Sequence, residues 1–205
     1  RGGSILSGVL RSSDEPFASG PYSHRRGGIR RDERKQEYTA SDDLDALMTI
    51  AGQASAFLRE QGVDQWQNGY PSPAHFEADI AEGSAWLFTH NDTPAGCVTV
   101  RRAHEAPYDR LFGQWLTDSE TPYAVVHRIA VADGYRGRGL AGEMLQFAED
   151  ISLGTGAVSL RIDTHEQNAA MRALLEKRGY TRCGLLWIDE IVGDKLRVAY
   201  EKILT

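Results

Sequence analysis

Residues 125–141 read Val-Val-His-Arg-Ile-Ala-Val-Ala-Asp-Gly-Tyr-Arg-Gly-Arg-Gly-Leu-Ala, an apolar strand, a glycine-and-arginine loop and the opening of an amphipathic helix. Bare amides from Arg136 to Ala141 face a ligand where that helix begins, and Gly137 and Gly139 let the main chain approach it closely. Anionic oxygens are bound at such a helix end, so Arg136, Gly137, Arg138, Gly139, Leu140 and Ala141 form a candidate pyrophosphate cradle. Three residues around it are candidate proton acceptors: His127 on the strand before the loop, His165 after the next strand, and Glu105 in the preceding loop. An imidazole, with an ordinary pKa of about 6.5, suits chemistry at neutral pH. A satisfied core position would explain His127 equally well, and Glu105 reads as a surface carboxylate.

Two kinds of ligand could own the cradle. Gly137-Arg-Gly-Leu-Ala-Gly142 is formally G-x-G-x-x-G with Asp163 about 20 residues on, as a dinucleotide-binding unit requires. That unit needs several further strand and helix alternations, and only about 40 residues remain after Asp163. A plain glycine turn with solvated arginines is the other alternative. Arg136, Gly139 and Ala141 also fill a different pattern: Arg or Gln, two residues, Gly, one residue, then Gly or Ala. A second segment, opening at Asn168, reads Asn-Ala-Ala-Met-Arg-Ala-Leu-Leu-Glu-Lys-Arg-Gly-Tyr. In both segments the chain resembles the GNAT superfamily of N-acetyltransferases, whose acetyl-coenzyme A loop and second cofactor helix they match in order, about 30 residues apart. The resemblance covers residues 36–205.

It implies an acetyltransferase that moves an acetyl group from acetyl-coenzyme A to a primary amine by direct attack in a ternary complex, with no metal. The acceptor would be a small-molecule amine or a peptide amine. Backbone groups of Ile129, Ala130 and Val131 would pair with the pantetheine arm like an added strand, one N–H also polarising the acetyl carbonyl. Asn168 would bond the cofactor or order a water, completing a catalytic set with His127 and His165. Trp66 and Tyr70 fall where the family's acceptor wall lies, although anchoring a long loop would also account for them. At the position of the family's usual tyrosine acid stands Leu175. That departure motivates a second reading, a non-catalytic acyl-coenzyme A binding or regulatory module.

The 205 residues, 41% hydrophobic and 25% charged, suit one well-packed domain. Cys97 and Cys183 are the only cysteines, too isolated for a disulfide framework or a zinc site. No apolar run approaches about 18 residues and no secretory signal is evident, so a cytoplasmic protein with no membrane partner is expected. Of the net charge of −6, residues 1–35 hold eight Lys/Arg against four Asp/Glu, so the body is acidic. An acidic body argues against nucleic-acid binding and suits an amine-bearing substrate. A monomer or a homodimer fits equally.

Residues 1–35, rich in Gly, Ser, Arg and Pro, read as a disordered or loosely attached extension. Their cluster His24-Arg25-Arg26 with Arg30 and Arg31 could bind an acidic surface or simply be solvated. A strand is expected at 34–39, then a helix capped by Ser41 and closed by Gly62, an aromatic loop, and a helix at 73–82. Strands follow at 84–90 and 95–102, then a long loop at 104–121. A strand at 122–131 enters the cradle, the helix beyond it buries Leu140, Met144, Leu145, Ala148 and Ile151, and a strand follows at 157–163. The Asn168 helix and strands at 180–189 and 196–203, turned at Gly193-Asp194, complete the order. This is a mixed α/β class: a single domain with a central twisted mixed sheet and about four helices. The resemblance adds that its fourth and fifth strands, 122–131 and 157–163, splay apart.

Overall fold

The computed structural model describes residues 36–40, 43–102, 104–189 and 193–205. The expected extension and its basic cluster lie outside them, as does Ser41. The chain runs β1 (Gln36–Ala40), α1 (Leu44–Glu60), α2 (Pro73–Ala81), β2 (Ala85–His90), β3 (Thr93–Arg101), β4 (Phe112–Gly113), β5 (Tyr123–Val131), α3 (Leu140–Gly154), β6 (Ser159–Thr164), α4 (Ala169–Lys177), β7 (Thr181–Trp187) and β8 (Leu196–Ile203). All eight strands join one sheet in the order β1-β2-β3-β5-β6-β8-β7-β4. Only β5 and β6 pair in parallel; every other neighbouring pair is antiparallel. A doubly wound dinucleotide sheet needs parallel strands throughout, so this topology removes that alternative.

Strand alternation builds a core on each face of the sheet, with a third, smaller cluster of Tyr108, Tyr123, Val125, Leu186 and Ala199. Ala85, Leu87 and Cys97 pack with Leu47, Ile50 and Ala51 of α1 and Phe76 of α2. Trp86, Phe88, Val98 and Val100 point the other way, onto Leu140, Met144, Leu145, Phe147 and Ile151 of α3. α1 is capped by Asp43, whose Oδ1 accepts from the Ala46 N–H at 2.9 Å. The 104–121 segment is not featureless. It holds a 3-10 turn at Ala106–Arg110 and the two residues of β4, which pair with Leu185 and Gly184 of β7 at the sheet's edge. Periodicity cannot show a strand of two residues.

One buried network ties α2 to β5. Asp79, fully buried, accepts from Arg128 at 2.8 and 3.0 Å and from the Thr99 hydroxyl at 2.8 Å, with Arg101 at 3.4 Å. Removing one partner of a buried pair leaves the other charge uncompensated, at a cost of about 3–5 kcal/mol. Asp79→Asn is therefore expected to lower unfolding free energy by about that amount. A urea midpoint within error of the parent protein would contradict it.

Candidate active site

β5 and β6 stay in register from Tyr123 opposite Ser159 to Val126 opposite Ile162, and no further. The cause lies on the other edge of β5, where the pairing with β3 slips between Cys97 and Thr99. The extra residue is Arg128, held at φ 48°. A bulge bends its strand, so β5 past Val126 presents an edge to which β6 no longer pairs. The cleft that opens there has a volume of about 910 Å³, and Ile129, Ala130 and Val131 line it.

The cradle forms one wall. Gly139 caps α3 at φ 90°, and the helix's first backbone bonds run from the Gly142 and Glu143 N–H groups to the Gly139 carbonyl. No N–H group from Arg138 to Ala141 donates to a backbone carbonyl of the described residues. A Cβ built on Gly137 or Gly139 meets no protein atom within 4 Å, so the space over the loop is open. Gly137, Gly139, Leu140 and Ala141 line the cleft. Arg136 lines it too, but its guanidinium turns to α1: it donates to the Gln53 carbonyl at 2.9 Å, pairs with Asp133 and lies 4.3 Å from the Phe57 ring centroid. Its side chain clamps the loop to α1. Arg138 is exposed over Tyr135 and is not among the lining residues.

His127 and Glu105 meet in the cleft, Nε2 to Oε1 at 2.6 Å, each side chain 18% exposed. Glu105 is thus not the surface carboxylate its loop position suggests. Burial pushes its pKa up, but the His127 hydrogen bond and charge, with Arg101 and Arg128, outweigh burial and hold it below the ordinary value. Being depressed, it adds stability at neutral pH that is lost as pH falls through its folded value. A carboxylate only accepts, so Nε2 carries a hydrogen, and in the neutral imidazole Nδ1 is the atom free to take a proton.

His165 is placed differently. It is 4% exposed and absent from the cleft lining; Nε2 pairs with Asp194 at 3.0 Å and Nδ1 accepts from the Gln167 N–H at 3.1 Å. Both nitrogens are used in holding the turn between β6 and α4, which leaves none to take a proton. Asn168 does line the cleft, as the cap of α4: Oδ1 accepts from the Met171 N–H, and Nδ2 donates to Gln65 at 3.0 Å. Gln65 was not singled out from sequence, yet its Oε1 accepts from Thr164, His165 and Asn168 together, tying the α1–α2 loop to β6 and α4.

Trp66 and Tyr70 line the cleft on that loop. Ser55 anchors that loop by donating to the Trp66 carbonyl at 2.7 Å. Tyr108 and Asp163 join them, hydroxyl to Oδ1 at 2.8 Å. Leu175 is fully buried in the α3-side core, while its neighbour Leu174 faces the cleft. Cys97 is no nucleophile: burial pushes its thiol up to about 12. Among the described residues no cluster of His, Cys, Asp or Glu is placed to hold a metal ion. No described helix is long and apolar enough to cross a membrane.

The parallel strand pair thus parts beside a helix N-terminus with unused amides, so an open strand edge and free N–H donors line one cleft. The chain belongs to the Acetyltransferase (GNAT) family, whose sequence model matches residues 50–180, more than half of its length. A crystal structure of a GNAT-family acetyltransferase from Streptococcus agalactiae is 33% identical, covering 86% of this chain and 98% of its own, with a TM-score of 0.71. A GNAT-family acetyltransferase from Listeria monocytogenes, 20% identical with a TM-score of 0.66, shares the fold over 87% of this chain and all of its own. Among curated proteins, the uncharacterised N-acetyltransferase YesJ of Bacillus subtilis is 23% identical over 145 residues, 70% of this chain and 79% of its own. The chain is an acyltransferase dependent on acetyl-coenzyme A. The free amides, the open space over Gly139 and the unpaired edge of β5 all fit that donor.

Proposed function

We propose that this chain acetylates a primary amine by direct attack in a ternary complex, with His127 as the proton acceptor and Glu105 as the residue that positions it. The observation that carries the reading is the 2.6 Å His127–Glu105 pair inside the cleft, where His127 is the first residue of β5 past its pairing with β6. Bound acetyl-coenzyme A supplies an activated thioester. An alkyl ammonium with a pKa of about 10.4 cannot attack it until a proton is removed, and Nδ1 of His127 takes that proton directly or through one water. One N–H group among residues 129–131 stabilises negative charge developing on the acetyl oxygen. The amides of residues 138–141 hold the pyrophosphate, and Asn168 supports the same wall through Gln65. Leu175 supplies no proton, and a thiol with a pKa of about 8.5 leaves tolerably as the thiolate.

A thiol-release assay over small amines and peptides, run beside calorimetric titration with coenzyme A, tests this. Micromolar coenzyme A binding and turnover of at least one amine is the expected result. Binding with no turnover on any acceptor would point instead to the acyl-coenzyme A binding or regulatory module. The acidic body suits a cytoplasmic enzyme acting on small or peptide amines, as a monomer or a homodimer.

A further inference from the structure

The acceptor region holds more charge than proton removal needs. Besides Glu105 and Asp163, four arginines line the cleft: Arg136 and Arg178 beside the start of α3, and, away from it, Arg128 and Arg197. Arg128 is only 7% exposed and gives Asp79 one terminal nitrogen, which bonds both carboxylate oxygens. Those oxygens are also taken by Thr99 and Arg101, so Asp79 has no room for a second Arg128 donor. The buried Nε–H of Arg128 has no acceptor at all. Nη2 of Arg128 likewise has no partner among the described residues, and a nearly buried guanidinium on the cleft wall that is only partly satisfied by protein points to a ligand acceptor.

Arg197, at the start of β8, is similarly placed. It is 6% exposed, and one terminal nitrogen donates to the carbonyls of Asp194 at 2.7 Å and Leu196 at 2.8 Å. Its other nitrogens have no acceptor among the described residues. Tyr70 lies within charge range of both arginines, and Asp163 within range of Arg197 and Tyr70. The cleft's acceptor region therefore presents two carboxylates and two guanidinium groups.

We infer that the acceptor is an amine that also carries a carboxylate, the amine lying toward Glu105 and Asp163 and the carboxylate bound by Arg128 and Arg197. This rests on the acyl-transfer reading above. A zwitterion matches all four groups, whereas a polyamine would leave the unused guanidinium donors of Arg128 and Arg197 without an acceptor. A guanidinium fork binds a carboxylate in two parallel hydrogen bonds, which fixes its orientation as well as its charge.

The test compares matched sets: an amino acid, its primary amide and its decarboxylated amine, across aromatic, aliphatic and acidic side chains. Thiol release gives kcat/KM, and calorimetry with coenzyme A present gives binding. The carboxylate member of at least one set should exceed the other two by about tenfold or more. Arg197→Gln should bring that ratio to within about threefold of unity, with binding of the carboxylate weakened more than that of its amide. If Arg197→Gln does not fold, the wild-type ratios alone decide. Amides or decarboxylated amines that match the carboxylate in every set overturn the proposal, as does coenzyme A binding with no set turned over. Failure to bind coenzyme A would overturn the acyl-transfer reading itself.

Discussion

His127→Ala is expected to lower kcat at pH 7 by about 100-fold or more, the usual scale for losing a positioned general base, with coenzyme A affinity held within about threefold. The loss falls on kcat because the amine still binds and only the proton has nowhere to go. Its pH dependence separates this cause from a packing defect. Without the base, the rate follows the fraction of free amine, which rises about tenfold per pH unit below about 10.4. The variant should therefore recover steeply between pH 7 and 9, where the parent enzyme gains less, and added imidazole should restore part of the rate. Glu105→Gln keeps a hydrogen-bond acceptor beside Nε2 but removes the charge, so about a tenfold loss in kcat is expected. By contrast His165, with both nitrogens engaged, should on replacement by alanine lower the melting temperature more than kcat. A His127→Ala enzyme within threefold of the parent at pH 7 would remove the imidazole from the mechanism.

The shape of the loop before α3 was legible because it is local: glycines, a helix start and a preceding apolar strand are contiguous, so spacing alone orders the amides. The order of elements and the mixed sheet followed likewise from periodicity and turn residues. What could not be read was the pairing of groups distant in sequence. Glu105 sits in a polar stretch with no apolar period, and only the return of residues 104–110 over β5 buries it against His127. His165 looked as suitable as His127 because nothing in the chain shows that Asp194, 29 residues on, takes its Nε2. Arg128 carried a faint signal, a long charged side chain between His127 and Ile129 in an otherwise apolar strand, which is how a bulge interrupts alternation. Gln65 carried none, since a glutamine in a loop reads as solvated until its three partners are known.

Substituting Gly139 should separate bulk from charge at the cradle, and here the second large effect is expected. Gly139 caps α3 at φ 90°, a left-handed conformation that Asn and Asp tolerate better than other L residues. Both are also good N-caps, and a carboxylate at a helix N-terminus is favoured by the helix dipole, so neither Gly139→Asn nor Gly139→Asp should unfold the protein. The space over the residue holds no protein atom within 4 Å, so either side chain would occupy volume meant for the ligand. The two differ only in charge. A carboxylate about 4 Å from a pyrophosphate costs about 4 kcal/mol at an effective dielectric of 20, and screening reduces it. Gly139→Asn should therefore weaken coenzyme A binding by about tenfold, and Gly139→Asp by about a further 100-fold, with the gap narrowing as salt is raised from 0.05 to about 0.5 M. Unchanged melting temperatures would confirm that the loss belongs to the site. Equal affinities for the two variants at low salt would mean that no phosphate lies against this loop, and the donor would have to be held elsewhere along the edge of β5.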